Sequence, residues 1–442
     1  MRTLRPQSGL WRHRDFMRLW SAETISQLGT QITLLALPLA AILVLDASAF
    51  EVALLQAVEF LPFILVSLPA GVWVDRMPRR PILIVGDLGR AALLASVPVA
   101  YAFDVLTLAQ LYVVGFSAGV FTVFFDVAYQ SYLPSLVERD ELVEGNSKLE
   151  ISRAGAQLGG PALAGVLVEL VRAPTAILLD AVSFLGSAAF LFRIRKREEP
   201  PSRTEEQPSM RRELSEGLRY VLGHPLLRPI AACTGSSNFF GMVVYSVFLV
   251  YAVRELGLTP GVIGIVLAVG NVGWLAAALT ANRIARRIGV GTTIVASAAL
   301  FGPAQLLVPL APEGNAAAPV LVAAFALTLF GAVVYNITQV SLRQAIAPER
   351  IQGRMNAVMR FLVWGTIPLG SFAGGALASW IGLRPTLWVG AIAGAFTFLP
   401  VLFSPVRSVA RMPEPAEDVA ATGPTAEGGM AGQPPQPAAP DA

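Results

Sequence analysis

The chain is 442 residues long, 54% hydrophobic and only 14% charged, with 39 glycines, whereas an ordinary soluble domain is about 25% charged. Repeated uncharged stretches of about 20 residues and a mean hydropathy of +0.60 exclude a soluble globular protein and predict a polytopic membrane protein. A single cysteine, Cys233, and two histidines, His13 and His224, exclude a disulfide framework or a cysteine metal cluster. A zinc enzyme would have to work almost entirely with carboxylates. The net charge of +3 is explained by arginines held on the cytoplasmic side of a membrane rather than by nucleic acid.

In chain order, residues 1–18 are arginine-rich and too polar for the apolar core of a signal peptide. Apolar segments follow at roughly 19–45, 50–74, 81–103, 107–131, 149–171 and 174–193. After a polar interval come roughly 228–252, 260–282, 288–310, 317–343, 355–380 and 385–405. Each is long enough at 1.5 Å per residue to cross about 30 Å of hydrocarbon. With the N-terminus inside, only Arg172, Arg254 and Arg384 of the 33 basic residues fall in outward loops. That asymmetry predicts twelve transmembrane helices with both termini cytoplasmic.

The expected organisation is a cytoplasmic N-terminus (1–18), a six-helix bundle (19–193), a linker (194–227), a second six-helix bundle (228–405) and a disordered tail (406–442). Within the linker, the stretch from Met210 to Tyr220 reads as a short amphipathic helix at the interface. A solvated linker is the alternative.

The two sets of six spans repeat. Gly71, Asp75, Arg76, Arg79 and Arg80 after the second span stand over Ala278, Asn282, Arg283, Arg286 and Arg287 at an offset of 207. Glu138 and Arg139 stand over Glu349 and Arg350 at an offset of 211, and Asp126 over Asn336 at 210. Ordered recurrence at a nearly constant offset indicates duplication. Equal orientation of the halves makes it a parallel repeat about an axis along the membrane normal, with a crevice between the bundles.

These features resemble the major facilitator superfamily, over about Trp11 to Arg407. The family's loop pattern is glycine, three residues, aspartate, a basic residue, one residue, glycine and two basic residues. Here it reads Gly71, Asp75, Arg76, Pro78, Arg79, Arg80, with proline in place of the second glycine. The opening from Arg14 to Gly29 and the stretch from Leu68 to Arg76 look like the bacterial branch of the enterobactin exporter and macrolide efflux proteins. The resemblance implies twelve helices, alternating access and proton-driven export of small organic molecules. It names no substrate.

Asp75 stands where the second span meets the cytoplasm. A carboxylate there can accept helix-end N–H groups and charged partners, while Arg76, Arg79 and Arg80 face anionic headgroups. With Gly71 they form a candidate conformational latch, a role that leans on the resemblance; plain positive-inside anchoring is the alternative. Asp87 and Arg90, three apart, are expected to pair with each other or with this loop.

Carboxylates within spans are costly and need a reason. Glu59 lies roughly 13 Å from the outer face at helical rise and is a candidate proton site; a buried packing contact is the alternative. Asp126 and Arg153 match in depth, so they are expected to form a structural ion pair or a proton-coupled switch. Asp180 has no partner that sequence can place, and Arg360 faces Asn336 rather than a carboxylate. Gln27, Thr30 and Gln31 form a polar stripe on the first span, and Asn238 and Tyr245 share a face of the seventh. The family lines its crevice with these two spans, so Gln27, Gln31, Asn238, Tyr245 and Asn336 are the substrate-cavity candidates. Asn271, Gln305 and Gln339 are weaker ones. Phe121, Phe124, Phe125, Phe239 and Phe240 offer material for an apolar pocket.

No histidine lies in a span, no nucleophile–base arrangement is visible and no Walker loop is present, so an enzyme is not expected. Neither cofactor nor metal is expected. The leading expectation is a monomeric, proton-coupled exporter of a lipophilic or amphiphilic small molecule, such as an antibiotic, siderophore or other secondary metabolite. An importer or facilitator, and a transport-inactive scaffold or sensor, are the alternatives. The partners expected are that molecule, protons and membrane lipid, with no nucleic acid. The 31 arginines against 2 lysines suggest a high-GC bacterium, hence the bacterial inner membrane.

Overall fold

The computed structural model describes residues 9–74, 76–196, 198 and 210–412. It is all α. The helices are α1 (Arg14–Leu43), α2 (Ala49–Leu65), α3 (Ser67–Val74), α4 (Arg79–Ala102), α5 (Leu108–Leu136), α6 (Leu142–Val171), α7 (Ala173–Phe192), α8 (Met210–Gly223) and α9 (Leu227–Arg254). There follow α10 (Pro260–Gly270), α11 (Val272–Ile288), α12 (Val290–Ala304), α13 (Ala317–Ile346), α14 (Glu349–Trp364), α15 (Thr366–Ile381), α16 (Leu383–Ala395) and α17 (Leu399–Leu402). Among the described residues, 11 helical segments are long and apolar enough to cross a membrane, counting α10 with α11 and α14 with α15 as single crossings.

The expected span at 50–74 is broken into α2 and α3. Pro69 has no N–H to offer the Leu65 carbonyl four residues back, and α2 ends at Leu65. Pro368 does the same to Trp364, where α14 ends and α15 begins. The start of α2 is fastened by a capping box: Ser48 N–H donates to Glu51 at 2.8 Å and Glu51 N–H donates to Ser48 Oγ at 3.3 Å.

Two sets of helices pack chiefly within themselves. In the first, α1 lies against α6 and α7, α4 against α5 and α7, and α2 against α5. The same neighbours recur in the second, where α9 lies against α15 and α16, α12 against α13 and α16, and α10 and α11 against α13. Small residues permit these approaches. A Cβ on Gly331 would come within 2.9 Å of the Ser297 carbonyl, and one on Gly374 within 2.7 Å of the Val243 carbonyl.

The apolar core is divided by depth. At the end away from Arg79, Arg80, Arg286 and Arg287, one continuous cluster joins both sets, from Ile32 and Leu55 to Phe248 and Leu387. At the basic end each set has its own cluster, around Phe16, Leu83 and Tyr132 in the first and Ile230, Tyr335 and Met355 in the second. The halves are sealed at one end and separate at the other.

Helix α8 lies where the interfacial helix was expected and rests on α14. Arg354 pairs with Glu216 at 2.7 Å, and Tyr220 Oη–H donates to the Ile346 carbonyl at 3.3 Å. The part of the expected tail that is described, 406–412, is seated on the protein. Val406 is fully buried, and the Val409 carbonyl accepts from Gly291 N–H at 2.8 Å. The first N–H groups of α12 have no partner within that helix, and the returning chain supplies acceptors for two of them, Val290 and Gly291. Residues 413–442 lie outside the described residues.

Candidate functional site

A cavity of about 720 Å³ lies between the two sets, and every residue lining it is uncharged. The first set contributes Gln31 of α1 and Gln157, Leu158 and Pro161 of α6; α9 to α15 contribute the rest. Gly160 lets α6 close on Gln31, because a Cβ there would collide with that side chain. Tyr245, Phe248, Trp274, Phe301, Phe325 and Tyr335 supply aromatic surface. Set among them are six amides: Gln31, Gln157, Asn238, Asn271, Gln305 and Asn336.

The hydrogen bonds of these amides determine what they can offer a ligand. Asn238 Nδ2 donates to the Val363 carbonyl at 3.0 Å, and Asn271 Nδ2 to the Gln157 carbonyl at 2.6 Å. Both keep a carbonyl oxygen free of those bonds. Gln305 Oε1 is buried with no partner among the described residues. The Asn336 Oδ1 accepts from Gln339 Nε2 at 3.1 Å. An apolar chamber with several acceptor oxygens suits a neutral, largely apolar ligand that carries hydroxyl or N–H donors.

The chamber is closed at the end opposite the arginines. There α6 meets α10 and α2 meets α15, whereas α11 and α14 pack mainly within their own set. Gly165 and Gly264 bring α6 and α10 into backbone contact: a Cβ on either would lie 2.9 Å from the other's Cα. Glu169 of α6 accepts from Gly261 N–H at 2.8 Å and Thr259 Oγ1–H at 3.0 Å, across the two sets. Arg254 of α9 reaches the other way, donating to Asp46 at 2.6 Å and to the Ala47 carbonyl at 2.9 Å.

The buried charges gather in the first set, nearer the basic end. Arg90 pairs with Asp87 at 2.6 Å and is sandwiched between the rings of Phe125 and Phe184, at 4.4 and 4.1 Å. Asp126 lies within electrostatic range of Arg90, Arg153 and, across the interface, Arg360. No ion pair within 4.0 Å joins Asp126 to Arg153 among the described residues; the two belong to a looser cluster. Asp180 does find partners, accepting from Thr33 Oγ1–H and from Ser183 Oγ–H, the latter at 2.9 Å. Gly29 leaves the room for that contact.

Glu59 stands apart. No hydrogen bond or ion pair engages its side chain among the described residues, and a Cβ on Gly115 would lie 2.9 Å from its Cγ. Across the interface it lies within electrostatic range of Tyr245.

Of the cavity candidates, Gln31, Asn238, Tyr245 and Asn336 line the chamber, as do Asn271 and Gln305. Gln27 does not; its Nε2 donates to Glu23 Oε1 at 2.7 Å. Phe121, Phe124, Phe125, Phe239 and Phe240 are likewise absent from the lining. Phe124 instead stacks on Trp73 at 5.9 Å, and Phe239 packs on Phe240 at 5.1 Å.

Asp75 lies outside the described residues. Gly71 faces open space, and Arg76 is exposed. Arg79 and Arg80 donate their backbone N–H groups to Glu198 at 2.6 and 2.7 Å. The Arg80 side chain binds the carbonyls of Leu191, at 3.0 Å, and Phe192. These contacts bind α4 to the end of α7 within one set.

Sequence reasoning passed over Glu23, which is buried, has one oxygen without a partner among the described residues and lies within electrostatic range of Asp126, Arg153 and Arg90. Its position four residues before Gln27, on the same stripe, was the available signal. Gln157, Trp274 and Tyr335 carried no such mark. Glu198 and Glu169 sit in or beside loops, and their contacts are long-range.

Two packed sets of spanning helices around a chamber sealed at one end define a membrane transporter. The chain belongs to the major facilitator superfamily: residues 8–423 match the family described as transmembrane secretion effector. It is similar to the uncharacterized MFS-type transporter YfiS of Bacillus subtilis, 27% identical over 84% of this chain and 88% of that one. The multidrug efflux pump Tap of Mycolicibacterium fortuitum is 26% identical over 81% of this chain and 88% of its own. In fold, the chain resembles a bacterial homologue of the iron transporter ferroportin in an inward-facing state, with a TM-score of 0.73 at 18% identity, covering 88% and 98% of the two chains. Against an outward-facing structure of such a homologue the TM-score is 0.55, at 20% identity and the same coverage. The protein is thus a multi-pass bacterial membrane protein and a secondary transporter of a small molecule, not an enzyme.

Proposed function

We propose that the protein is a proton-coupled exporter that carries a neutral lipophilic or amphiphilic molecule by alternating access. One observation carries this reading: the chamber of about 720 Å³ is lined by aromatic rings and amides with no charge among them. A sugar or phosphate carrier would want denser polar or basic lining. Likeness to the efflux pump Tap supports the outward direction. The enterobactin-exporter and macrolide-efflux branch is our proposed placement within the superfamily, on the motifs from Arg14 to Gly29 and from Leu68 to Arg76.

The architecture we propose is twelve spans as two parallel six-helix bundles in the bacterial inner membrane, with both termini cytoplasmic. The recurrence of helix neighbours from one set to the other supports the repeat. The basic end is then cytoplasmic, and the conformation is inward-facing, with the outer end held by Glu169–Gly261, Asp46–Arg254 and the Gly165–Gly264 contact. The higher TM-score to an inward-facing relative agrees with this.

Coupling is assigned to the carboxylates. Among the described residues Glu59 has no fixed cation beside it, so gain and loss of a proton changes the charge facing the chamber at Tyr245. Asp126, with Arg153 and Glu23, forms the second candidate. Its exposure to Arg360 of the other set makes its charge sensitive to how far the halves stand apart. Gly71, Asp75, Arg76, Arg79, Arg80, Asp87 and Arg90 remain the proposed latch, with Arg80 and the Asp87–Arg90 pair keeping α4 aligned inside the first bundle.

The test is uptake into inverted membrane vesicles under an imposed proton gradient, across a panel of neutral and charged antibiotics and siderophores, with Glu59→Gln beside wild type. Gradient-dependent uptake of neutral compounds, lost in the variant, is expected. Equal uptake by both proteins removes Glu59 from coupling and leaves Asp126. Uptake that ignores the gradient refutes proton coupling.

A further inference from the structure

A second, smaller cavity, of about 520 Å³, lies at the basic end of the second set, lined by Asn282, Ala285, Arg286, Val290, Ala410, Arg411 and Met412. It exists because the chain after α17 returns to the start of α12. The Ala410 and Val409 carbonyls accept from Val290 N–H at 3.4 Å and Gly291 N–H at 2.8 Å. Gly289, at φ 88°, makes the turn that permits this, and Gly291 has no room for a side chain beneath Val406 and Arg407. The returning segment therefore brings Arg411 to the same cavity as Arg286.

Arg286 and Arg411 thus both line one small cavity with exposed side chains, and neither has an acid or acceptor partner among the described residues. Two unpaired cations on one cavity give it a positive potential that favours an anion. Arg286 can be explained in part by its place in the last turn of α11, where a cation suits the helix dipole. That does not explain Arg411. In the first set, the segment returning after α7 carries its own anion to the corresponding place, Glu198 at the start of α4. The segment returning after α17 has Ala410 and Arg411 there instead.

The surroundings indicate which kind of anion fits. Val272, Leu275, Leu279, Asn282 and Arg286 follow one another at three- and four-residue steps, so they lie on one stripe of α11. The first three are exposed, Leu279 by 74%. An apolar track on a spanning helix leads straight into a basic cavity.

We propose that this groove binds an anionic phospholipid: its phosphate is held by Arg286 and Arg411 with the Asn282 side chain beside them, and its acyl chain lies along Val272, Leu275 and Leu279. Headgroup attraction of this kind is expected for arginines at a membrane surface.

The experiment measures lipid retained by the purified full-length chain in detergent, by native mass spectrometry, during titration with phosphatidylglycerol or phosphatidylcholine. Preferential retention of phosphatidylglycerol is expected. The double variant Arg286→Gln/Arg411→Gln should bind it about 30-fold more weakly, from the usual contribution of two basic residues. Both side chains are exposed, so the variant should fold, which circular dichroism checks. Equal retention of the two lipids, or undiminished binding by the double variant, overturns the proposal. Displacement of the lipid by millimolar inorganic phosphate also overturns it, because the site would then be one for free anions. A chain ending at Met412 should keep the preference unchanged. If the preference appeared only after that truncation, the acidic residues that follow, Glu414, Glu417 and Asp418, would be the occupants and the lipid assignment would fall.

Discussion

Replacing Gly264 by alanine probes the seal between the two halves with a single carbon atom. Its Cβ would lie 2.9 Å from Gly165 Cα and closer still to the Pro161 carbonyl. Carbon atoms rest at about 3.5–4.0 Å, so α6 and α10 would have to part by roughly 1 Å. Overpacking of this size costs about 1–3 kcal/mol. The penalty falls only on the state in which these helices touch, so the balance between closed and open forms should shift by roughly 5- to 150-fold. Spin labels on Val105→Cys and Leu310→Cys, both exposed at that end, would report the separation by double electron–electron resonance. The native Cys233 is fully buried and should not interfere. A longer-distance population should appear in Gly264→Ala together with slower transport. Gly159→Ala, which meets nothing within 4 Å, should behave as wild type. An unchanged distance distribution in Gly264→Ala, or an equal change in Gly159→Ala, refutes the reasoning.

Three further outcomes are expected. Gln305→Leu keeps the size of the chamber wall but removes an acceptor that has no partner among the described residues. It should raise the KM for substrates bearing hydroxyl or N–H donors about fivefold, the value of one net hydrogen bond, and leave analogues without donors unaffected. Glu198→Gln replaces the carboxylate that accepts from Arg79 and Arg80 N–H groups and should cost about 1–2 kcal/mol of stability, visible as a lower Tm in detergent; an unchanged Tm contradicts the capping role. Burial holds His224, at the α8–α9 junction, below the usual histidine pKa. The undocked imidazole then takes a proton before the docked one, so the junction should weaken as pH falls below about 6.5 and be insensitive above it. Hydrogen exchange over residues 220–228 at pH 7.5 and 5 measures this.

The candidate site was legible only in part, and the division follows from what a helix reveals about itself. The polar stripe of α1 was readable because its members recur at helical spacing, but the stripe alone does not say which neighbour it meets. Gln31 meets the chamber, whereas Gln27, one turn earlier, turns to Glu23. Asp180 looked unpartnered in sequence and is held by Thr33, 147 residues away. The Asp87–Arg90 pair was legible because both residues lie on one helix, three apart. Asp126 and Arg153 sit on different helices, and equal depth does not guarantee contact.

Hydropathy and arginine placement are properties of position along the chain, and they sufficed to mark the 11 described segments long and apolar enough to cross a membrane, the basic end and the motifs shared by the two sets. Proline by itself was not enough: Pro69 and Pro368 stand at the breaks between α2 and α3 and between α14 and α15, yet Pro38, Pro62, Pro98, Pro134 and Pro161 lie inside unbroken helices. Which faces meet is a property of packing between residues far apart in sequence. Only the assembled helices determined that the chamber is built mostly by the second set, that one end is shut by Gly165 on Gly264, and that Arg411 returns to the cavity lined by Arg286. Each of those depends on how closely backbones approach, which the small residues allow and the sequence order does not encode.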